Sequence, residues 1–308
     1  MEILKNPNFD FLGRTRYFVA ASILLIVAGL VSMSRPGGLR YGVEFSGGTQ
    51  LIVKFQANPE TDVIRDAVSR VAPGAVIQTY GQPSGNQVLI RLAGVESEAE
   101  LTGPAERTLK ALADNYSKNP VLESSSEIVG PIVGAELRRK AIQLTVLGLL
   151  FQLIYIGIRF GGPVWGGAAT IAAFHDILIT LGFLSFFQYE ITLNVIAALL
   201  TLVGYSVNDT IVIFDRAREN LRQRRKDPLS KTLNDSVNQT LSRTLISNGT
   251  TFLAVLGLYL FGGEVLRGFG FAMVVGIVAG TYSTVYIASP LVVWWKAREA
   301  KAAAVRAA

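Results

Sequence analysis

The stretch ITLNVIAALLTLVGYSVNDTIVIF, residues 191–214, decides the class of this protein. It is long enough to cross the roughly 30 Å hydrocarbon core of a bilayer as a helix, and its single charged residue is Asp209. Half of the 308 residues of the chain are hydrophobic and only 17% are charged, against roughly 25% in ordinary soluble domains. These features predict an integral membrane protein.

Further apolar runs lie on both sides of this stretch, at residues 17–33, 142–158, 164–187, 244–261 and 265–295. With residues 191–214 they predict six membrane helices, the first of them an uncleaved anchor, because no small-x-small cleavage site follows it. The predicted order is an N-terminal segment 1–16, helix one at 17–34, a polar domain at 35–140, helices two to six within 141–295, a basic loop at 215–242 between helices four and five, and a tail at 296–308.

The polar domain alternates between strand and helix patterns. Residues 48–55 alternate as a strand does, and residues 58–72 carry an apolar stripe at helical spacing. Strands follow at 75–80 and 87–92, a helix at 96–116 and a strand at 121–129. The order β-α-β-β-α-β is typical of a ferredoxin-like domain, so the fold class is an α-helical polytopic membrane protein with one α+β domain.

The distribution of basic residues predicts how the helices are oriented. Lysine and arginine collect at both termini and in the segment 215–242, whereas the turns around Gln188 and Gly262–Gly263 carry none. Basic segments face the cytoplasm, so both termini are expected there and the 35–140 domain on the periplasmic or extracytoplasmic side. The net charge of +6 is explained in this way and does not indicate nucleic-acid binding.

Several function classes are excluded by composition. The chain has no cysteine and one histidine, which rules out disulfides, thiolate chemistry and cysteine-based zinc sites. It has no GxxxxGK[ST] loop and no GxGxxG following a strand. We therefore expect neither an enzyme nor a bound cofactor or metal, and an ion gradient rather than ATP as the energy source.

Two acids lie within the predicted spans: Asp176 near the middle of helix three, and Asp209 in helix four, about 9 Å inside the boundary with the basic segment. One base, Arg243, opens helix five near the same boundary, so it can lie at a depth similar to that of Asp209. Ionisable residues at such positions are costly and usually functional. If helices four and five pack together, Asp209 and Arg243 form a proton-pathway pair. The alternative for each acid is a purely structural hydrogen-bonding role, and the alternative for Arg243 is a side chain that extends to the membrane surface.

Other polar residues accompany these charges: His175, Asp176, Tyr205, Asn208 and Asn248. They are candidate accessory residues of a hydrated path, and hydrogen bonding between helices is the alternative. Adjacent residues point about 100° apart on a helix, so His175 and Asp176 are not expected to face each other.

Glycine and proline cluster where the α+β domain joins helices one and two. Gly47 and Gly48 occupy the first junction, and Gly130 and Pro131 the second. We predict that these four residues are hinges, because such residues mark breaks between regular elements.

Five segments together resemble a known family: YGVEFSGGTQ at 41–50, GPIVGAEL at 130–137, FHDILIT at 174–180, GYSVNDTIVIFDRAREN at 204–220 and LSRT at 241–244. In order and spacing they resemble the SecF family of protein-export membrane proteins, within the RND superfamily. The resemblance implies half of a twelve-helix RND-type bundle, completed by SecD. It also implies that Asp209 is a proton-pathway residue and that Arg243 matches a family arginine.

The resemblance implies an auxiliary subunit of the Sec translocase. With SecD, such a subunit uses the proton motive force to drive late steps of preprotein translocation across the bacterial inner membrane. The implied partners are SecD, the SecYEG channel, the translocating preprotein and membrane lipids, with YajC and YidC as further candidates. An RND-type exporter half for small apolar or lipid substrates and a non-transport membrane scaffold remain alternatives. An aspartate site suits H⁺ or Na⁺.

Overall fold

The computed structural model describes residues 7–81, 83–92, 103–223 and 227–307. Its helices, in chain order, are α1 (Thr15–Ser34), α2 (Val43–Ser46), α3 (Thr61–Ser69), α4 (Gly103–Asn115), α5 (Pro131–Phe160), α6 (Pro163–Phe186), α7 (Leu193–Gln223), α8 (Leu229–Phe261), α9 (Gly263–Ser283) and α10 (Ser289–Ala307). Its strands are β1 (Arg40–Tyr41), β2 (Gly48–Phe55), β3 (Val76–Tyr80), β4 (Gln87–Leu92), β5 (Val121–Val129) and β6 (Glu190–Ile191).

Among these described residues, six helical segments are long and apolar enough to cross a membrane. They are α1, α5, α6, α7, α8 and the continuous helix formed by α9 and α10. Together with the α+β domain they confirm the predicted fold class. Helix α6 lies at the centre of the bundle, in contact with α1, α5, α7, α9 and α10.

The α+β domain contains a four-stranded antiparallel sheet in the order β3-β4-β2-β5. Alternate residues of β2, among them Leu51 and Val53, are buried against α3 and α4, as the period-two pattern predicts. Helix α3 contributes Ile64 and Val68 to the same core. With the element order β-α-β-β-α-β, this is the ferredoxin-like arrangement. Residues 96–102 of the predicted second helix lie outside the described residues.

The membrane helices are longer than the apolar runs in the sequence. Helix α5 begins at Pro131, eleven residues before the run at Ile142, with Pro131 in its first turn and Gly130 as its extended N-cap. Likewise α7 extends to Gln223 and α8 begins at Leu229, so most of the basic segment 215–242 is helical rather than a loop.

Glycines allow several helices to approach closely. Gly29 of α1 and Gly182 of α6 face each other so tightly that a Cβ added to Gly182 would lie 2.8 Å from the Cα of Gly29. On α9, a Cβ on Gly276 would lie 2.4 Å from Leu202 of α7. A Cβ on Gly280 would lie 3.2 Å from the Cβ of Ser206. The small-xxx-small pair on α9 therefore sets its close contact with α7.

The α+β domain is fastened to one end of the bundle. Strand β1, after α1, pairs in parallel with β6, which lies between α6 and α7. Arg91 of β4 forms a largely buried ion pair with Glu190 of β6. The opposite end of the bundle, which we call the basic end, carries the extensions of α7 and α8. There Asn234 and Asn238 of α8 hydrogen-bond to the backbone of the segment before α1, including Phe9.

Candidate functional site

Asp209 is buried at a junction of three helices. It lies on α7, and the side-chain amide of Asn248 on α8 donates a hydrogen bond of 2.5 Å to its Oδ2. The same Nδ2 donates to the hydroxyl of Thr281 on α9 at 2.8 Å. The Tyr205 hydroxyl donates to Asn248 Oδ1 at 2.9 Å. A neutral amide, rather than a cation, is therefore the direct partner shown for this carboxylate.

Arg243 lies on α8, five residues before Asn248, or about 7.5 Å along the helix axis. Its side chain is exposed. No Arg243–Asp209 ion pair occurs among the described contacts. Helices α7 and α8 do pack together, as the proposed pair requires. The role of the two residues as a proton-pathway pair stays a prediction.

Asp176 and His175 form a second buried polar centre on α6. Their side chains meet, with His175 Nδ1 lying 2.9 Å from Asp176 Oδ1. The expectation that these neighbours do not face each other is wrong. Their Cα–Cβ bonds diverge along the helix, but both side chains are long enough to turn toward each other. His175 Nε2 lies 3.0 Å from the Tyr282 hydroxyl, which lies 3.1 Å from Ser22 Oγ on α1.

The other oxygen of Asp176 links α6 to two more helices. Ser206 of α7 donates to Asp176 Oδ2 at 2.6 Å, and Ser283 of α9 donates to the same oxygen at 2.9 Å. Asp176 is completely buried, so these bonds take the place of solvation by water. Because Ser206 lies about one turn before Asp209 on α7, the two carboxylates share a short piece of that helix.

A short segment of α9 and its continuation connects the two centres. Thr281 bonds Asn248 beside Asp209, Ser283 bonds Asp176, and Thr284 lies 3.2 Å from Thr210 of α7. The helix is π-helical from Thr284 to Ala288. Pro290 follows two residues later and has no N–H to donate to the carbonyl one turn before it, which accounts for the altered winding. Such π-helical turns often occur at functional sites.

The structure separates the predicted accessory residues into two groups. Tyr205 and Asn248 contact the Asp209 centre, and His175 and Asp176 form their own centre. Asn208 is exposed and makes no bond with either carboxylate among the described contacts. Ser22, Ser206, Thr281, Tyr282 and Ser283 were not singled out as site residues. Their signal in the sequence was weak, because hydroxyl side chains are common in membrane helices.

The four predicted hinge residues lie next to each other in space. Gly47 and Gly48 have positive φ angles of 71° and 124°, which glycine adopts without strain. Gly48 pairs with Val129, the residue before Gly130, where β2 and β5 run side by side. A Cβ on Gly134 of α5 would lie 3.1 Å from the Gly47 nitrogen, so the first turn of α5 packs on the other junction. Their role as hinges stays a prediction.

Within the described ranges, no group of three or more His, Asp or Glu side chains is placed to hold a metal ion. The carboxyl, imidazole, amide and hydroxyl groups of the two centres can exchange protons and rearrange hydrogen bonds. Both centres lie among α6, α7, α8 and α9, in the enclosed part of the bundle.

Comparison with family models gives two matches. Residues 108–298 match the model described as protein export membrane protein SecD/SecF, C-terminal. Residues 37–58 match the SecD/SecF GG motif, which includes the Gly47–Gly48 pair. The two matches together cover the junction with α1, the end of the α+β domain and five of the membrane helices.

The chain is similar to protein translocase subunits over nearly all of its length. The chain is 40% identical to protein translocase subunit SecF of Gemmatimonas aurantiaca, covering 97% of this chain and 90% of the relative. It is 38% identical to SecF of Escherichia coli O157:H7, covering 92% and 86%.

Similar solved structures are of SecDF. The Thermus thermophilus SecDF crystal structure superposes with a TM-score of 0.81 at 38% identity, covering 94% of this chain and 39% of that one. SecDF in a super-membrane-facing form gives a TM-score of 0.71 at 39% identity, covering 98% and 41%. The chain thus spans about two fifths of the SecDF proteins and nearly all of the SecF proteins.

Proposed function

The chain belongs to the SecF family of protein translocase subunits, and from this premise we propose that it couples proton movement at Asp209 to late steps of preprotein translocation. It is an auxiliary subunit of the Sec protein translocase and a multi-pass membrane protein. Its relatives are translocase subunits, which favours this role over a small-molecule exporter or a scaffold. No catalytic activity or cofactor is part of the proposal.

The geometry of Asp209 carries the proposal. A proton on Asp209 adds an O–H donor, while the other carboxyl oxygen still accepts. The bond from Asn248 Nδ2 to Oδ2 is kept when the proton is on Oδ1, and it has to be replaced when the proton is on Oδ2. Asn248 can respond by rotating its amide, which presents Oδ1 to Asp209 and to Thr281. The hydroxyls of Tyr205 and Thr281 can each donate or accept, so they can follow. The network can be satisfied with or without the proton.

Proton exchange at this site can shift helix contacts, because Asp209 bonds Asn248 on a second helix and Asn248 in turn bonds groups on two helices. Asn248 belongs to α8, Thr281 to α9 and Tyr205 to α7. Arg243, the other member of the proposed pair, lies on α8 about 7.5 Å beyond Asn248 toward the basic end. The bundle can thus convert a change of one proton into a change of helix contacts, which is the minimum requirement of a proton-driven machine.

The α+β domain is the proposed lever. Helices α2 and α5 pack together where they meet the sheet, α2 at Gly47 and Gly48 and α5 at Gly130 and Pro131, so a small change in their packing can be passed to the sheet. Strand β5 is at one edge of that sheet and its side chains are mostly exposed. An exposed edge can pair with an extended chain, which makes a translocating preprotein a suitable partner.

We place the protein in the bacterial inner membrane with both termini cytoplasmic and the α+β domain periplasmic. The basic residues that set this orientation lie at the end of the bundle opposite the domain. SecDF relatives carry a SecF-like part in a longer chain, which supports SecD as the direct partner. The SecYEG channel, YajC, YidC, the preprotein and surrounding lipids are further proposed partners.

Gradient-dependent export into inverted membrane vesicles tests the proposal. Asp209→Asn keeps the size of the side chain but cannot ionise, and the gradient-stimulated part of export should disappear. Thr201→Val is the matched control on the same helix and should export as the wild type does, because Thr201 is exposed and its described hydrogen bond goes to a carbonyl of its own helix. Co-purification with SecD checks assembly. If Asp209→Asn assembles and its export still responds fully to the gradient, Asp209 is not the coupling residue.

A further inference from the structure

Beyond Asp209, the polar centre around His175 and Asp176 has no role in the mechanism above. Both side chains are at least nine-tenths buried, in the middle of α6. The described partners of Asp176 are His175, Ser206 and Ser283, and none of these is a lysine or arginine. His175 is therefore the group that can offset a negative charge on Asp176.

The surroundings of the pair are otherwise uncharged. From α1 the facing group is Ser22, and from α9 it is Tyr282, which is titratable. Helices α5 and α10 meet α6 through apolar side chains such as Ile156 and Val292. On α7 the nearest acid along the helix is Asp209, about one turn beyond Ser206. A proton bound between His175 and Asp176 would make this environment electrically neutral.

The hydrogen bonds of the pair can be satisfied with either proton count. When the imidazole is neutral, Nδ1–H donates to Asp176 and Nε2 accepts from the Tyr282 hydroxyl. When the imidazole is charged, Nε2–H donates to that hydroxyl, and Tyr282 can turn its own proton toward Ser22 Oγ. Hydroxyl groups rotate freely between these roles. No bond in the chain from Asp176 to Ser22 has to be lost when the proton arrives.

We propose that His175 and Asp176 together form a second proton-binding centre, which takes up and releases one proton and so tunes the contact between α7 and α9. The proton is held on the imidazole, between Asp176 and Tyr282. Uptake neutralises the pair and weakens the pull of Asp176 on the hydroxyls of Ser206 and Ser283, because hydrogen bonds to a net charge are stronger. Asp176 and His175 are positioning residues for the packing around Asp209.

The test uses the fact that His175 is the only histidine of the chain. The full chain is labelled with 15N-histidine, purified through a histidine-free tag and placed in phospholipid vesicles. Solid-state NMR then distinguishes the neutral imidazole from the imidazolium between about pH 5 and pH 8, where histidine changes charge. We expect Nδ1 to stay protonated throughout and Nε2 to gain a proton as the pH falls.

Two variants identify the partner. In Asp176→Asn the carboxylate that favours the imidazolium is gone, so Nε2 should gain its proton only at a lower pH than in the wild type. Asn208→Ala should leave the titration unchanged. An imidazole that stays in one neutral form over the whole range, or an Asp176→Asn midpoint equal to that of the wild type, overturns the proposal.

The wild-type titration needs no variant, so a folding defect in Asp176→Asn cannot hide the answer. It is also independent of the export assay. If His175 titrates as expected while Asp209→Asn exports normally, the coupling role of Asp209 fails and the second centre stands.

Discussion

The crossing of α1 and α6 at Gly29 and Gly182 leads to a quantitative prediction. In Gly182→Ala the new methyl carbon would lie 2.8 Å from the Cα of Gly29, where carbon atoms in contact need about 3.5 Å or more. Both neighbours are backbone, so a side-chain rotation cannot relieve the clash. The helices must separate locally by about 0.7 Å or more.

Such a separation would also break the hydrogen bond that joins the two helices. Ser32 of α1 and Ser185 of α6 are 2.9 Å apart, so this pair would exceed hydrogen-bonding distance. Overpacking costs about 1–3 kcal/mol, and hydrogen bonds between membrane helices contribute about 0.6 kcal/mol each. Gly182→Ala should therefore reduce the free energy of unfolding by about 2–4 kcal/mol.

Unfolding of the purified chain in mixed micelles with increasing SDS measures this loss. Gly257→Ala on α8 is the matched control, since an added Cβ there meets open space, and its unfolding should be unchanged or slightly more resistant. If Gly182→Ala and Gly257→Ala unfold at the same SDS fraction, α1 does not cross α6 in the way described.

Three further predictions concern charges at the two ends of the molecule. Arg243→Gln should reduce gradient-stimulated export while Arg243→Lys keeps most of it, because a positive charge near Asp209 is what the site requires; equal export by the two variants would contradict this. Glu190→Gln leaves Arg91 without its ion-pair partner and should weaken docking of the α+β domain by about 1.5–3 kcal/mol, seen as faster hydrogen exchange in β1 and β4. Partial desolvation of Glu127 in β5, and secondarily the charge of Glu44, raises the pKa of Glu127, so ionisation opposes folding. Because the unfolded chain ionises first, Glu127→Gln should slow exchange in β5 relative to wild type above about pH 4.5 and make no difference well below it.

The sequence predicted the α+β domain closely where turn signals bracket short patterns. Strands β2 and β5 have the predicted limits, because alternation in β2 and the Gly130–Pro131 pair after β5 define them. The lengths of the membrane helices were underestimated, because their polar ends extend beyond the apolar runs. Hydropathy marks the part of a helix in lipid, but the backbone stays helical beyond it until a residue such as Pro228 or Gly130 intervenes.

The candidate site was predicted only in part, because the sequence shows which polar residues lie in a span but not how their side chains meet. Asp209 and Asn248 stand out because polar groups are rare and costly within a span. The contact between His175 and Asp176 was excluded from helix angles alone, whereas side-chain reach decides it. The roles of Tyr282 and Ser283 depend on how α9 winds toward its π-helical turn before Pro290, and neither periodicity nor spacing encodes that winding.

Asp209 and Asp176 have the same kind of hydrogen-bonding partners. Each is held by groups that can donate or accept, and each set of groups comes from more than one helix. In lipid a displaced polar group cannot re-pair with water, so it must find its new partner inside the bundle. A change of proton count at either carboxylate therefore has to rearrange bonds between helices rather than between protein and solvent. Since Thr281 bonds Asn248 beside Asp209 and Ser283 bonds Asp176, a movement of α9 at one centre is expected to alter its contacts at the second.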